Sequence, residues 1–366
     1  MVPDAVDLGA VRRALVVKLR HHGDVLLASP VFAVLRAHSP HLETDALVYD
    51  DTREMLALHP AIATVHTVGR GWRAAAPHTR LAHEIRLLRG LRARRYDLLV
   101  NLTEHPRGAW LARALGPRWS VAPEQPHRGR LWRKSFTHLY RLPRGAWGGR
   151  RHAVEVNLDA LRRIGIYPAA DGRALVLVPG DAAEAEIRNR MAALGLAERG
   201  FVHLHPASRW RFKCWPADRT AALVDRLAAA GERVVLTAAP SEPELELVRA
   251  IRAACRADTI DLSGQLTLKQ LAALTGRAKL FVGVDSAPMH IAAAMGTPVL
   301  ALFGPSGELE WGPWGVASRV IVSEAHPCRP CGNDGCGGGK VSECLTTLPV
   351  DRVFAAAREL LAAPRG

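Results

Sequence analysis

The stretch Phe281–Ser306, FVGVDSAPMHIAAAMGTPVLALFGPS, predicts a strand, a turn, a helix and a second strand. FVGV and VLALFG are short apolar runs typical of buried strands, and IAAAMG is an Ala-rich helix that ends at a glycine. Asp285, Ser286, Pro288 and His290 lie between the first strand and the helix. A simple turn requires none of these residues, so the segment is a candidate ligand-binding loop.

The same alternation of short apolar strands and helices recurs along the chain and predicts parallel α/β architecture. In the first half, we expect strands at 14–19, 46–50, 64–68, 97–102 and 174–179, and helices at 25–39 and 81–95. In the second half, we expect strands at 201–206, 233–238, 259–264, 281–284, 299–304 and near 321. The pattern predicts two doubly wound, Rossmann-like domains that face a central cleft. Their expected bounds are 1–180 and 181–345, and a C-terminal helical segment, 346–366, is free to pack back on the first domain.

The length of 366 residues suits two domains, and 48% apolar residues allow each to bury a core. No apolar run approaches the roughly 18 residues of a membrane-spanning helix. The first twenty residues include acidic side chains where a signal peptide requires positive charge. We therefore expect a cytoplasmic protein.

The net charge of +14 is concentrated in one block, because residues 51–150 carry 19 Lys and Arg against six Asp and Glu. Such a field attracts anionic partners. Within the block, RLWRKSFTHLYR (130–141) either forms a basic amphipathic helix on an anionic membrane or turns its aromatic residues toward the core. A nucleic-acid-binding protein is an alternative from another class, although no recognised binding motif supports it.

Four cysteines, Cys328, Cys331, Cys336 and Cys344, cluster in CRPCGNDGCGGGKVSEC. In a cytosolic chain such clustering is more typical of a metal than of disulfides. Either four thiolates hold a structural zinc ion, or four reduced cysteines lie in a Gly-rich loop.

The first of three candidate loops is KLRHHGDVLLASP, after the first predicted strand. Asp24 stands at the start of the next helix, where it either caps free N–H groups or acts as a general base toward an attacking hydroxyl. Lys18, Arg20, His21 and His22 crowd the same turn and favour contact with an anion.

The second loop, HPASRWRFKCWP, places Ser208, Arg209 and Lys213 between a strand and a helix that begins near Pro216. A helix N-terminus beside a lysine suits a phosphate group, and a solvated basic loop is the alternative.

The third loop is the opening segment, in which Ser286 is a candidate helix cap and the first N–H groups offer a second phosphate contact. His290 is a further candidate donor. The chain has no P-loop and no GxGxxG after a strand, which argues against NTP hydrolysis and dinucleotide redox chemistry.

These loops resemble those of glycosyltransferase family 9, the ADP-heptose:lipopolysaccharide heptosyltransferases. The resemblance rests on VVKLRHHGDVLLASP, HPASRWRFKCWP and FVGVDSAPMHIAAAMGTPVLALFGPS, is supported by HPCRPCGNDGC, and extends from about Arg12 to Leu361. KLRHHGDVLL and the Cys-rich tail are most similar to the heptosyltransferase III type, which adds a branch heptose to the inner core. The resemblance implies a GT-B fold with the acceptor in the first domain and the sugar nucleotide mainly in the second.

The resemblance also implies residue roles for an inverting transfer. Asp24 matches the catalytic base, and Lys213 matches the lysine that balances the leaving diphosphate. The implied nucleotide-sugar contacts are Ser208, Arg209, Asp285, Ser286, Ala287, His290 and a ribose-binding acid, Glu242 or alternatively Glu244. The implied acceptor contacts are Arg20, His21, His22 and Arg53.

The resemblance further implies ADP-heptose as donor, no cofactor for the transfer itself, and at most a structural role for the cysteines. The implied acceptor is a lipid A–inner core oligosaccharide, which places the protein peripherally on the cytoplasmic face of the inner membrane, with no nucleic acid. Remaining alternatives are heptosyltransferase I or II activity, another family 9 transferase with a different nucleotide-sugar, and a non-catalytic sugar-nucleotide-binding scaffold.

Overall fold

The computed structural model describes residues 4–74, 76–142 and 151–363, which divide into two α/β units. Unit 1 contains the described residues up to Val178, and unit 2 contains those from Pro179 onward. The boundary lies beside the predicted position at 180. Each unit contains one six-stranded sheet in which all paired strands are parallel.

Unit 1 is built around the sheet order β3-β2-β1-β4-β5-β6. Its strands are β1 Arg13–Val17, β2 Glu43–Tyr49, β3 Thr64–Val68, β4 Leu98–Asn101, β5 Trp119–Pro123 and β6 His138–Tyr140. Its helices are α1 His22–Leu26, α2 Ser29–His38, α3 Pro77–Arg94, α4 Arg107–Leu115, α5 Gly129–Arg133 and α6 Ala153–Arg163. Short 3-10 turns lie at Leu8–Ala10, Asp50–Met55, Arg70–Ala74, Pro126–Arg128 and Asp171–Arg173.

Unit 2 has the sheet order β12-β11-β10-β7-β8-β9. Its strands are β7 Phe201–His205, β8 Arg233–Leu236, β9 Ile260–Asp261, β10 Leu280–Val284, β11 Val299–Phe303 and β12 Ser318–Val322. Its helices are α7 Asp181–Ala193, α8 Ala217–Ala229, α9 Glu242–Ala254, α10 Leu268–Gly276, α11 Ala287–Ala294, α12 Glu308–Trp311, α13 Glu343–Thr346 and α14 Val350–Ala362. Arg211–Lys213 and Cys336–Gly338 are 3-10 turns.

The two sheets share one topology, since each has the first strand of its unit beside the fourth. In both units the second and third strands lie on one side of the first strand, and the fourth, fifth and sixth strands lie on its other side. This is the Rossmann order, and its switch points lie between β1 and β4 and between β7 and β10. Ligands of such sheets bind beyond the carboxyl ends of the strands at these points. The predicted doubly wound α/β class is confirmed.

The central strands are buried on both faces, as strands covered by helices on both sides must be. All five residues of β10 and of β11 are buried. Gly283 in β10 is required by close packing, because a Cβ there would lie 2.7 Å from the Phe281 ring and 3.0 Å from the carbonyl oxygen of His205. The strand that leads to Asp285 is therefore held tightly against β7.

The strand predicted at 174–179 is wrong, because the chain there pairs with no sheet. Leu175 and Leu177 are buried, but the Val176 amide donates to Oγ of Ser29 in α2 at 2.9 Å. The apolar alternation reflects an extended segment attached to a helix. The sheet is instead completed by β5 and β6, which the pattern did not predict.

The basic helix proposed for 130–141 ends at Arg133, and the chain then enters β6. Thr137 and Ser120 exchange backbone-to-hydroxyl hydrogen bonds of 2.7 and 3.1 Å, which compete with helix formation. Trp132 is buried and its Nε1 donates to the Pro123 carbonyl at 2.9 Å. The alternative with aromatic residues turned toward the core is correct for Trp132 and Phe136.

The helix predicted at 25–39 is two helices, α1 and α2, joined at Leu27 and Ala28. Pro30 has no N–H group and occupies the first turn of α2, where that absence costs nothing. The break allows α1 to hold the residues of the first candidate loop independently of α2.

The terminal helix α14 packs on the sheet of unit 2. Val353, Ala356, Ala357 and Leu360 are buried in one core cluster with residues of β7, β10 and α8. These residues recur at helical spacing and form the apolar stripe that draws α14 onto the second sheet.

Candidate active site

Lys213 and Asp285 meet at the switch point of unit 2. Lys213 ends the 3-10 turn after β7, and Asp285 directly follows β10. The Lys213 Nζ lies 2.5 Å from the Asp285 Oδ2, and the side chains are 22% and 8% exposed. The structure thus joins two of the three loops that the sequence singled out. A partly shielded ammonium group at this position can bind an anion when Asp285 releases it.

The N-terminus of α11 follows immediately. Ser286 is at its N-cap position, but the predicted side-chain cap is absent, because its Oγ donates to the Val284 carbonyl at 3.3 Å. Ala287 begins the helix, and His290 is buried one turn further along. The first amides of the helix therefore lack this side chain as a cap, which leaves the helix end suited to an anion.

The loop after β7 carries the next two predicted residues. Ser208 is buried, and its Oγ accepts from the Trp210 amide at 3.3 Å. Arg209 is exposed, with its guanidinium 5.6 Å from the Trp210 ring centroid. Pro216 then provides the N-cap residue of α8. Arg209 and Arg211 of this loop are exposed, whereas Lys213 is partly buried.

The two candidate acids of α9 differ sharply. Glu242 is exposed and pairs with Arg249 on the helix surface. Glu244 is buried, and its Oε2 accepts from the Ala239 amide at 3.0 Å. The structure therefore holds the alternative acid, Glu244, at the carboxyl end of β8, and directs the preferred one, Glu242, toward solvent.

In unit 1, Lys18 spans the corresponding switch point. Its Nζ donates to the Leu102 carbonyl at 3.2 Å, beyond β4, and to the Asn157 Oδ1 at 2.9 Å. Burial lowers the pKa of Lys18 to about 8, and the charge of Asp24 opposes that shift. Lys18 and Asp24 are therefore within electrostatic reach of each other.

Asp24 lies in the first turn of α1 but is not its N-cap residue, which is His21. Its carboxylate is 17% exposed and its Oδ1 is 3.8 Å from the Arg20 Nε. A carboxylate beside two cations and open to a ligand can accept a proton from a substrate hydroxyl. The geometry is thus compatible with the base role rather than with capping.

The remaining acceptor candidates lie around α1 and the turn after β2. The His22 Nε2 is 2.8 Å from the Asp51 carbonyl oxygen, while His21 and Arg53 are exposed. Arg70 was missed by the sequence analysis: it donates to the Arg20 carbonyl at 2.9 Å and to the Asp51 Oδ2 at 2.6 Å. The signal that could have found it is its place directly after β3.

Comparison with known proteins identifies the family. Residues 84–341 match the sequence model of the family described as "Glycosyltransferase family 9 (heptosyltransferase)". The chain is also 36% identical over 345 residues to lipopolysaccharide heptosyltransferase 3 of Escherichia coli K12, covering 94% of this chain and 96% of that protein. The chain belongs to glycosyltransferase family 9. It is therefore a glycosyltransferase.

Two further relatives of this family 9 chain span almost its whole length. Lipopolysaccharide heptosyltransferase 1 of Pseudomonas aeruginosa is 28% identical over 374 residues, which cover 96% of this chain and 99% of that protein. The crystal structure of a family 9 glycosyl transferase from Veillonella parvula superposes with a TM-score of 0.82 at 24% identity, covering 98% of this chain and 99% of that one. The fold is accordingly GT-B, as the resemblance implied.

The cysteine segment of this family 9 chain does not assemble the predicted zinc ligands. Among the residues that the structure describes, no group of three or more His, Cys, Asp or Glu is placed to hold a metal ion. Cys344 is buried, whereas Cys328 and Cys336 are exposed. The Cys336 Sγ accepts from the Glu343 amide at 3.4 Å. Burial raises the pKa of the Cys344 thiol, and Cys336, Cys331 and Cys328 raise it further, so these three thiols lie within electrostatic reach of Cys344.

A basic surface covers the helices on one side of the first sheet, and we call it the α3–α5 surface. Glu84 of α3 pairs with Arg107 of α4, and the Arg113 Nε of α4 donates at 2.8 Å to the Ser135 Oγ just beyond α5. The α3–α5 surface exposes four apolar side chains among six basic ones: Leu81, Ile85, Trp110 and Leu131 together with Arg80, Arg86, Arg89, Arg130, Arg133 and Lys134. Among the described helices, none combines the length and the apolar character that a membrane-spanning helix requires.

Proposed function

We propose that this glycosyltransferase transfers a heptose from ADP-heptose to the inner core of lipopolysaccharide, and that it adds the branch heptose of the heptosyltransferase 3 type. The observation that carries the proposal is the 36% identity to lipopolysaccharide heptosyltransferase 3 over 94% of the chain. The heptosyltransferase 1 relative from Pseudomonas aeruginosa is less similar, at 28%. The type 1 and type 2 activities are therefore the second choice.

The proposed reaction is an inverting displacement. Asp24 accepts the proton of the acceptor hydroxyl as its oxygen forms a bond to the anomeric carbon of the donor. The bond from that carbon to the diphosphate breaks at the same time, and ADP leaves with the electron pair. The transition state is oxocarbenium-like, as in glycosidic bond chemistry generally. Lys18 lies within electrostatic reach of this base.

The leaving diphosphate is proposed to bind at the switch point of unit 2. Lys213 supplies the positive charge, and the first amides of α11 supply N–H donors. Such preorganised groups stabilise charge that develops on a leaving group. Asp285 holds Lys213 in position before the nucleotide arrives, and Glu244 is the proposed ribose acid.

The basic block at 51–150 is proposed to hold the protein against an anionic membrane rather than a nucleic acid. The α3–α5 surface supports this choice, because exposed Leu81, Ile85, Trp110 and Leu131 are interleaved with arginines. Apolar side chains among cations suit the boundary between headgroups and acyl chains. The proposed location is therefore the cytoplasmic face of the inner membrane, where a lipid-anchored core acceptor would be available.

The function is tested by incubating the purified protein with ADP-heptose and a series of truncated lipopolysaccharide cores, with mass spectrometry and NMR to locate the added sugar. We expect one heptose on a core that already carries its two main-chain heptoses. Transfer only to shorter cores would identify a type 1 or type 2 enzyme, and no transfer to any core would contradict the proposal.

Asp24→Asn is the matched variant for the catalytic base. Loss of a general base lowers turnover by about 10²–10⁴-fold, while the binding of ADP-heptose should persist. Asp171→Asn, an exposed carboxylate of the same unit, is the control and should transfer normally. Near-normal turnover of Asp24→Asn would remove Asp24 from the proposed mechanism.

A further inference from the structure

A chain of buried hydroxyl and imidazole groups runs from α10 to the carboxyl end of β7. The Thr275 Oγ1 lies 2.6 Å from the Leu271 carbonyl oxygen and 3.0 Å from the His203 Nδ1. The His203 Nε2 lies 2.7 Å from the Thr237 Oγ1, which is 2.8 Å from the His205 Nδ1. Both histidines and both threonines are buried.

The single proton of each hydroxyl gives this chain a direction. The Leu271 carbonyl can only accept, so Thr275 donates to it and must accept from an N–H at the His203 Nδ1. Burial lowers the pKa of His203 to about 3, so its ring is neutral and its Nε2 is an acceptor. Thr237 therefore donates to His203 and accepts from an N–H at the His205 Nδ1.

His205 consequently presents a lone pair at Nε2. Burial lowers its pKa to about 4, so the ring carries no charge at neutral pH. The Nε2 lies 4.0 Å from the Glu244 Oε2, which is also an acceptor and is held by the Ala239 amide at 3.0 Å. A neutral accepting imidazole and a carboxylate do not form an ion pair. Two acceptors at this separation match a ligand that brings two O–H donors.

We propose that His205 and Glu244 together recognise a vicinal diol, one hydroxyl for each acceptor, and that Thr237 is the positioning residue that keeps His205 in its accepting tautomer. The proposal rests on the proposed function, since the ribose of the nucleotide would supply the diol. Glu244 is the acidic contact for the ribose, and His205 is a second hydrogen-bond acceptor beside it. Hydrogen bonds in the core of unit 2 determine which ring nitrogen of His205 accepts. A ligand that offers a carbonyl or carboxylate oxygen at this position is rejected.

The tautomer is measured first, on the ligand-free protein. Histidine labelled with ¹⁵N distinguishes a protonated Nδ1 from a protonated Nε2 by chemical shift and two-bond coupling, and His205→Gln assigns the signal. We expect His205 to carry its proton on Nδ1 throughout pH 6–8. A proton on Nε2, or a charged ring, would overturn the proposal.

Discrimination is measured next, by calorimetric titration with ADP, 2′-deoxy-ADP and 3′-deoxy-ADP. A buried acceptor left without its donor weakens binding, so we expect the deoxy compounds to bind about tenfold or more weakly than ADP. Thr237→Val is nearly isosteric but removes the hydroxyl. For the deoxy compound that lacks the hydroxyl facing His205, this variant should bring the ratio of its dissociation constant to that of ADP toward one. Thr237→Ser keeps the hydroxyl and should keep the ratio. Equal ratios in both variants and the wild type would overturn the positioning role.

The two proposals fail in different ways. If ADP binds but its deoxy analogues bind equally well, the diol site is wrong while the transferase proposal stands. If the diol preference is found but no core accepts heptose, the transferase proposal is wrong and the diol site stands. Should Thr237→Val not fold, the tautomer of the wild-type protein and its preference for ADP over the deoxy analogues still decide.

Discussion

At the scale of single residues, we expect Lys213 to affect both ADP binding and stability, because it pairs with Asp285. Lys213→Met should weaken ADP binding and also lower the free energy of unfolding by about 1–3 kcal/mol, because it leaves the largely buried Asp285 carboxylate unpaired. The double variant Lys213→Met/Asp285→Asn should recover stability but not ADP affinity. Calorimetry and urea unfolding measure the two effects separately.

Lys279→Met is the control for this prediction, because the Lys279 Nζ pairs with Glu232 at 2.8 Å without belonging to the site. It should lose some stability and leave ADP affinity unchanged. If Lys213→Met binds ADP as tightly as the wild type, Lys213 does not contact the diphosphate.

Lys18 makes stability depend on alkaline pH. Its pKa is lowered from 10.5 to about 8 by burial, so between these values the unfolded chain binds more protons at this position than the folded protein. The free energy of unfolding therefore rises as pH increases from about 8 to 10.5, because Lys18 loses its proton in the folded protein. Below pH 8 the cost of burying the charged Lys18 is fully present. Urea unfolding of the wild type and Lys18→Met over this range should show the wild type gaining on the order of 2 kcal/mol relative to the variant. A difference that does not change with pH would contradict the shifted pKa.

At the scale of elements, α14 is part of the core of unit 2. Leu360 packs in that core, so Leu360→Ala should lower the free energy of unfolding by about 2–4 kcal/mol. Arg358→Ala changes an exposed residue of the same helix and should have little effect. Thermal unfolding by circular dichroism compares the two, and equal transition temperatures would mean that α14 does not stabilise the fold.

The elements also show what local patterns predict. The strand β3, Thr64–Val68, has the bounds that the sequence predicted, since its apolar pattern is flanked by turns. In contrast, β6 has three residues and lies at the sheet edge, and its pairing depends on hydroxyl contacts between Thr137 and Ser120. Contacts made between residues 17 positions apart leave no periodic signal, so the sequence pattern does not predict β6.

At the scale of the whole molecule, the basic block predicts salt-dependent attachment to anionic lipid. We expect the protein to sediment with vesicles of phosphatidylglycerol and phosphatidylcholine but not of phosphatidylcholine alone, and to be released by salt. Arg86→Gln/Arg89→Gln should weaken this binding about tenfold or more, at about 1 kcal/mol for each arginine near the surface.

The matched control is Arg188→Gln/Arg358→Gln, which removes the same charge from exposed positions of unit 2. It should bind vesicles almost as the wild type does. If both pairs weaken binding equally, net charge rather than the α3–α5 surface is responsible, and preferential binding to duplex DNA would favour the nucleic-acid alternative.

The candidate site was predictable in part, for a physical reason. Asp24, Lys213 and Asp285 lie in the segments that follow β1, β7 and β10. Ligands of parallel sheets bind beyond the carboxyl ends of the strands, so strand prediction already located these segments. Glu242 and Glu244 both fit the loop pattern, so the sequence does not decide between them. In the structure, the burial of Glu244 and its hydrogen bond from the Ala239 amide distinguish the two acids. Asn157 was not found, because its contact with Lys18 joins residues that are distant in sequence.

The sequence by itself determined the α/β class, two Rossmann-like units and the loops that carry the chemistry, because these follow from periodicity and from residues next to strand ends. The tertiary structure alone decided which groups meet. It paired Lys213 with Asp285, aligned two histidines through Thr237, and left the four cysteines without a metal-binding arrangement among the described residues. Such pairings depend on distance and direction in space, and spacing along a chain records neither.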